Sequence, residues 1–109
     1  MNWIALTEEA QLDSIAEESK NQPVVIFKHS TRCNISDMIK TRLERSEEPS
    51  HIKFYYLDLI RFRNISNKIA EVFAVHHESP QVLLIKDGDC IYDESHNGIY
   101  MEDIVEQAA

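Results

Sequence analysis

Apolar and polar residues follow two different periods along the chain, and these periods divide it into strands and helices. A continuous apolar run at residues 24–27 predicts a strand buried on both faces. A segment rich in β-formers at 52–59 and the run Gln81-Val82-Leu83-Leu84-Ile85 predict two more strands. Apolar positions spaced three and four apart predict four helices. Their periodic positions are Leu12, Ile15, Ala16 and Ser19; Ile35, Met38, Ile39, Arg42 and Leu43; Ile65, Ile69, Val72 and Phe73; and Met101, Ile104, Val105 and Ala108.

Short polar segments mark the ends of these elements. Thr7 can cap the first helix, whose first turn then carries Glu8 and Glu9. The turn at 87–89 joins the strand that starts at Gln81 to a second strand, forming a hairpin. The predicted order is therefore α-β-α-β-α-β-β-α.

This order is that of an α/β thioredoxin-like domain, in which a β-α-β half joined by right-handed crossovers precedes a β-β-α half. We expect a mixed central sheet of four strands flanked by helices, with room for a short extra strand at the N-terminus. Residues 1–109 contain no linker or repeat, so we expect a single domain.

Composition and charge narrow the classes of partner. The 109 residues carry 11 Lys and Arg against 19 Asp and Glu, a formal charge of −8, which disfavours nucleic acid and anionic lipid. Acidic residues interrupt the apolar positions near the N-terminus, so no segment there reads as a signal peptide. We expect a cytoplasmic monomer with no nucleic-acid or membrane partner.

Cys33 is the candidate nucleophile because it lies at the start of the second predicted helix. A thiolate is the reactive form of cysteine, and a helix N-terminus offers it unpaired N–H groups and the positive end of the helix dipole. The amides of Ile35 and Ser36 can point at the sulfur, and Lys28 and Arg32 are nearby cations.

Ser36 stands where a C-x-x-C box would have its second cysteine. Serine is close to cysteine in size and can still form a hydrogen bond, but it has no thiol. Cys33 therefore cannot form an internal disulfide across the box. We therefore expect a monothiol site, with Ser36 as part of its catalytic set. Such a site works through mixed disulfides, taking a thiol adduct from one partner and releasing it to another thiol.

Pro80 opens the strand expected beside the thiol, where this architecture holds a cis peptide bond. Sequence favours cis over an ordinary trans proline that merely starts a strand, and both geometries remain open at this stage. With Ser79, Pro80 would expose backbone groups to which an extended thiol substrate can pair.

Other residues near the predicted site have weaker assignments. Arg61 and Arg63 follow a predicted parallel strand, at the end of the sheet where Cys33 is expected. There they either bind an anionic thiol or lie in a solvated loop. His29 and His77 are candidates for tuning the thiol, and no ligand spacing indicates a metal site. Cys90 lies past the far turn of its strand and is interpreted as structural.

Three segments together resemble the monothiol bacilliredoxins of the bacillithiol system. They are Lys28-His29-Ser30, Cys33-Asn34-Ile35-Ser36 and His77-Glu78-Ser79-Pro80-Gln81. The resemblance implies that Cys33 removes bacillithiol from mixed disulfides on S-thiolated client proteins and that Pro80 is the cis proline of the substrate groove. It also implies no bound cofactor, with bacillithiol or an equivalent small thiol as co-substrate.

The chain departs from this family's T-C-P-I-S signature on both sides of the cysteine. Arg32 replaces the threonine and Asn34 replaces the proline, which removes a pre-set φ from the first helical position. We expect Arg32, Asn34, Ile35, Ser79 and Arg61 to contact the substrate.

Three alternatives to this hypothesis remain. Cys33 could be a packed helix-start cysteine without a role. The chain could be a monothiol glutaredoxin-like carrier that ligates an iron–sulfur cluster through Cys33. It could also be a thioredoxin-fold adaptor that binds a partner through its acidic helices and the Pro80 groove, without redox chemistry.

Overall fold

A computed structural model describes all 109 residues as a five-stranded sheet with helices on both faces. The strands are β1 (Ile4–Ala5), β2 (Val24–His29), β3 (Lys53–Asp58), β4 (Gln81–Lys86) and β5 (Asp89–Ser95). The helices are α1 (Gln11–Glu18), α2 (Asn34–Arg45), α3 (Arg63–Val72) and α4 (Met101–Ala108), with one 3₁₀ turn at His96–Gly98. No helix combines the length and the apolar character needed to cross a bilayer.

The sheet is mixed, in the order β1-β3-β2-β4-β5. β1, β3 and β2 run parallel, whereas β4 pairs antiparallel with both β2 and β5. The predicted element order and mixed sheet are confirmed. The optional N-terminal strand is present as β1, which adds a fifth strand when Ile4 and Ala5 pair with Tyr55 and Tyr56.

The central strand β2 is buried on both faces, as its continuous apolar run predicts. Because side chains alternate along a strand, Val24 and Ile26 pack with α1 and α3, whereas Val25 and Phe27 pack with α2 and α4. By the same alternation, Lys28 points to the α3 side of the sheet and His29 to the α2 side. The apolar strand thus ends in two buried polar residues next to Cys33.

The predicted start of α1 is wrong. The helix begins at Gln11, and Thr7 does not cap it. The side-chain oxygen of Gln11 accepts the N–H groups of Thr7 and Glu8 at 2.7 and 2.9 Å, and its amide donates to the carbonyl of Ala5 at 3.0 Å. The Gln11 side chain, and not the Thr7 hydroxyl, therefore pairs the backbone N–H groups before the helix and ties this segment to β1.

The predicted inner face of α3 is wrong at one position. Val72 is 49% exposed, whereas Ile65, Ile69 and Phe73 are buried as expected. Ser66, at 1% exposure, takes the remaining inner position. The buried face is rotated toward Ser66 because a hydrogen-bonding partner for its hydroxyl lies beneath the helix.

Candidate thiol site

Cys33 is the N-cap residue of α2 and its side chain is partly exposed. Its backbone is extended, with φ −119° and ψ 119°, and its N–H donates to the carbonyl of Ser30 at 3.2 Å. Its own carbonyl accepts from Asp37 N–H at 3.1 Å, the first bond of the helix. The amides of residues 34–36 therefore have no backbone acceptor and lie at the positive end of α2, where a Cys33 thiolate can accept from them.

Ser36 is fully buried, and its hydroxyl is bound to the end of β2. Its Oγ accepts the N–H of Ser30 at 3.0 Å and lies 2.7 Å from Nδ1 of His29. The other ring nitrogen, Nε2, is 3.2 Å from a carboxylate oxygen of Asp37, which accepts only. His29 therefore carries its proton on Nε2, and the Ser36 hydroxyl donates to Nδ1. Ser36 thus fixes the loop before Cys33.

His29 is a neutral hydrogen-bonding group in this arrangement. Burial lowers the pKa of His29, and the neighbouring carboxylate of Asp37 only partly opposes this. The imidazole also lies against the rings of Phe27 and Tyr56, with centroid distances of 5.8 and 5.6 Å. The structure therefore links His29, expected to tune the thiol, to the start of α2 through Ser36 and Asp37.

Lys28 places a completely buried amine behind the same site. Its Nζ donates to Nδ1 of His77 at 3.0 Å, and the Ser66 hydroxyl is 3.3 Å from the same nitrogen. Burial lowers the pKa of Lys28 to about 8, against the opposing charge of Glu78. Burial and the charges of Lys28 and Arg63 likewise lower the pKa of His77. Lys28 and His77, which the sequence analysis named separately, therefore form one partly buried contact.

The segment before β4 carries Ser79 and Pro80, and the peptide bond between them is cis. The buried Gln81 side chain holds this segment by donating to the carbonyl of His76 at 3.0 Å. The Pro80 carbonyl accepts from His96 N–H at 3.0 Å. Ser79 N–H and C=O take part in no backbone hydrogen bond.

The roles of Gln81 and His96 in this segment were missed by the sequence reasoning. Gln81 had a signal, because a polar residue that opens a buried apolar strand needs a partner for its amide. His96 had none, since its contact with Pro80 depends on how β5 returns beside β4.

Strand pairing brings three candidate segments to one end of the sheet. Lys28 pairs with Gln81 in the last rung of β2 and β4, so Ser79–Pro80 and the loop to Cys33 extend from the same end. His29 pairs with Asp58 at the end of β3, which brings the following loop with Arg61 to that pole. Arg61 is exposed, and its guanidinium lies over the Phe62 ring at 5.1 Å.

The residues that flank Cys33 form an exposed rim. Arg32 and Asn34 are exposed, as substrate contacts must be. Ile35 and Met38 are 44% and 45% exposed although both belong to the periodic apolar set of α2, whose inner face is formed by Ile39 and Leu43. The rim therefore combines a cation, an amide and an apolar patch.

Cys90 lies at the opposite end of the sheet. It pairs with Ile85, and its thiol donates to the carbonyl of Tyr92 at 3.3 Å. Burial raises the pKa of Cys90, which keeps it a thiol. The largest cavity, about 820 Å³, is also remote from Cys33, because it lies between the end of α2 and the start of α4. A second cavity, of about 580 Å³, borders the thiol site, since Asn34, Asp37 and Met38 line it.

The chain is similar to known proteins both in sequence, through a family model, and in structure. A family model described as monothiol bacilliredoxin BrxC matches residues 4–104. A solved thioredoxin-fold structure, provisionally assigned as an oxidoreductase, is 27% identical with a TM-score of 0.85, covering 97% of this chain and 93% of that one.

More distant solved structures share the fold. Fasciola hepatica thioredoxin is 20% identical with a TM-score of 0.77, covering 96% of this chain and 98% of that one. Malassezia sympodialis thioredoxin is 19% identical with a TM-score of 0.76, covering 99% and 92%.

Proposed function

The chain belongs to the monothiol bacilliredoxin family, and from that premise we propose that it removes bacillithiol, or an equivalent small thiol, from mixed disulfides on client proteins. Family and fold together identify a thiol–disulfide oxidoreductase of the thioredoxin type. The proposal adds the substrate: S-thiolated proteins of a reducing cytoplasm, acted on by a monomer that uses the small thiol as co-substrate and holds no cofactor.

The observation that carries this proposal is the single thiol at the start of α2. Cys33 is partly exposed, its neighbour at the resolving position is the buried hydroxyl of Ser36, and Cys90 lies at the other end of the sheet. An enzyme with one reachable thiol cannot release its product by closing an internal disulfide. It must instead hand its adduct to a second thiol from solution.

The reaction takes two exchange steps. In the first, the Cys33 thiolate attacks the small thiol's sulfur in the mixed disulfide. A bond forms between the two sulfurs, the original S–S bond breaks, and its electron pair leaves on the client sulfur, which takes a proton from water. In the second, a free small thiolate attacks the adduct, and the electron pair returns to Cys33. The products are a reduced client and a small-molecule disulfide.

The groove for the substrate is formed by Ser79 and Pro80 together with the rim around Cys33. The free N–H and C=O of Ser79 suit an extended chain that pairs edge to edge with the protein. The exposed Ile35 and Met38 suit apolar residues flanking the client's modified cysteine. Arg32 and Arg61 suit the carboxylates of an anionic thiol.

Intact mass spectrometry tests the adduct directly. Reduced protein mixed with bacillithiol disulfide should gain one adduct, both in the wild type and in Cys90→Ser. Cys33→Ser should gain none. Release of the adduct by added bacillithiol, faster than by glutathione, would identify the co-substrate. A wild type without an adduct, or an adduct that persists in Cys33→Ser, refutes the proposal.

A charge-matched pair of double variants tests the docking of an anionic thiol. Arg61→Ala with Arg63→Ala should slow adduct formation by about tenfold with an anionic disulfide and leave a neutral disulfide unaffected. Lys20→Ala with Arg45→Ala removes the same charge from other parts of the surface and should leave both rates unchanged. Equal rates in the two double variants would place the docking of the anion elsewhere.

A further inference from the structure

The Ser79 hydroxyl is the one buried side-chain polar atom in the chain that has no hydrogen-bond partner. A buried hydroxyl without a partner loses its hydrogen bonds to water and gains none in return, so nearly all such groups in proteins are paired. Alanine at this position would avoid the cost. An unpaired hydroxyl next to a reactive site points to a partner that arrives with the substrate.

The position of Ser79 in the fold connects this hydroxyl to the thiol site. Extending the antiparallel pairing of β2 and β4 two residues beyond Lys28 and Gln81 brings Ser79 level with Ser30. The carbonyl of Ser30 accepts the N–H of Cys33. The unpaired hydroxyl and the unpaired peptide groups of Ser79 are therefore at the same end of the sheet as the nucleophile, across the groove from it.

No group of the free protein is paired with the Ser79 hydroxyl. The carbonyl of Pro80 accepts from His96, and the carbonyl of His76 accepts from Gln81. The sulfur of Cys33 is not its partner either, since the hydroxyl has none of any kind. A substrate atom that enters the groove can supply the acceptor that the protein does not.

We propose that Ser79 is a catalytic residue whose Oγ–H donates to the substrate sulfur as negative charge develops on it. This inference rests on the proposed function. When Cys33 attacks a disulfide, the new S–S bond forms, the old one breaks, and the electron pair collects on the departing sulfur. A donor held in place and shielded from water stabilises this thiolate until it takes a proton from solvent.

The rate constants for a series of symmetrical disulfides test this role. The series runs from aromatic thiols, which are weakly basic, to alkyl thiols, which are strongly basic and depend most on stabilisation as they leave. Ser79→Ala should slow the alkyl disulfides by about tenfold and the aromatic ones by less than about twofold. The dependence of rate on thiol basicity therefore becomes steeper. Ser79→Thr keeps the hydroxyl and should restore the wild-type dependence.

Ser19 provides a matched control, because it is a buried serine at the opposite end of the sheet with its hydroxyl fully paired. Its Oγ donates to the carbonyl of Ala16 at 2.7 Å and accepts from Gly88 N–H at 2.8 Å. Ser19→Ala should lower the melting temperature and leave every exchange rate unchanged. Ser79→Ala should do the reverse, leaving the melting temperature unchanged or raised.

The outcomes separate this inference from the proposed function. Equal slowing of all disulfides in Ser79→Ala, no slowing, or Ser79→Thr behaving like Ser79→Ala would overturn the role of Ser79. If the wild type forms no adduct with bacillithiol disulfide but shows the expected dependence with the simple disulfides, the proposed substrate is wrong and the role of Ser79 stands. A wild type inert to every disulfide overturns both.

Discussion

Ser36 stabilises the structure around Cys33, a role that its position in the cysteine motif does not predict. Its hydroxyl accepts from Ser30 N–H and donates to His29, so it connects the loop before Cys33 to the end of β2. This network holds the first turn of α2 against the sheet and thereby fixes the direction in which the Cys33 thiol points.

Removing the Ser36 hydroxyl should destabilise the protein. Ser36→Ala leaves Ser30 N–H and His29 Nδ1 without partners in a buried place, which should lower the free energy of unfolding by about 2 kcal/mol. Urea unfolding measures the change. Ser46→Ala on the same helix is the control, because its hydroxyl only returns a bond to the Arg42 carbonyl and its loss should cost less than about 0.5 kcal/mol. Equal losses would contradict this account.

Lys28 should destabilise the fold at neutral pH. Its pKa of about 8 is below the ordinary 10.5, so keeping the buried amine charged at pH 7 opposes folding. Lys28→Met should therefore raise the free energy of unfolding at pH 7 by about 2 kcal/mol, while Ser66 still donates to His77. The gain should shrink above pH 8, where the folded wild type loses the proton. Denaturant unfolding from pH 7 to 10 measures both effects.

Lys53 is the control for this substitution. It pairs with Glu18 at 3.0 Å, and the hydrogen bond and charge of Glu18 raise the pKa of Lys53 despite an opposing effect of burial. Lys53→Met should therefore not stabilise the protein at pH 7. Stabilisation by both substitutions would show that added apolar surface, and not removal of a buried charge, is responsible.

At the scale of elements, α2 is held at its two ends by different means. Its start is anchored by Ser36 and His29, and its second half is anchored by Arg42. The Arg42 guanidinium donates to the carbonyls of Asn97 and Ile99 at 3.0 and 2.9 Å and lies over the Tyr100 ring at 4.3 Å. These contacts tie the helix that carries the thiol to the segment leading into α4.

Arg42→Ala should loosen this junction. We expect a loss of about 1–2 kcal/mol, since two carbonyls lose a charged donor and Tyr100 loses its stacked guanidinium. Faster hydrogen exchange in residues 96–104 should accompany the loss. Arg45→Ala, one turn away on the same helix, removes the same charge without these contacts and should change neither measurement. A uniform increase in exchange across the sheet would argue against a local anchor.

At the scale of the whole molecule, His29 and His77 should make the fold sensitive to acid. Burial is the main reason that the pKa values of His29 and His77 are lower in the folded chain. The unfolded chain therefore binds protons at a higher pH than the folded chain does. The free energy of unfolding should be greatest above about pH 6.5 and should fall as the pH drops below it.

Histidine substitutions test this pH dependence. His29→Asn should flatten the decline in unfolding free energy between pH 7 and 5, measured by urea unfolding at each pH. His51→Asn is the control, because His51 is exposed and should leave the slope unchanged. A slope that is the same in both variants would assign the acid sensitivity to other groups.

Most of the fold can be predicted from the local pattern of apolar and polar residues. The prediction is wrong where a side chain outside that pattern forms a hydrogen bond. The strands and helices were placed correctly because apolar period reflects the geometry of each element. The start of α1 was missed because the Gln11 side chain, and not the Thr7 hydroxyl, pairs the backbone N–H groups before the helix. The face of α3 was misjudged at Val72 because Ser66 has a partner in His77.

The sequence by itself determined the elements, the mixed sheet, the helix-start position of Cys33 and the absence of a resolving thiol at Ser36. These features depend on the spacing and order of residues along the chain. Covalent geometry and the regular hydrogen bonding of helices and strands determine where residues a few positions apart lie relative to one another. Only the tertiary structure decided which polar groups meet. Lys28 and His77 are 49 positions apart, and the unpaired hydroxyl of Ser79 is visible only once every neighbour is in place. Whether a polar group is satisfied depends on the whole of its surroundings, which no local pattern contains.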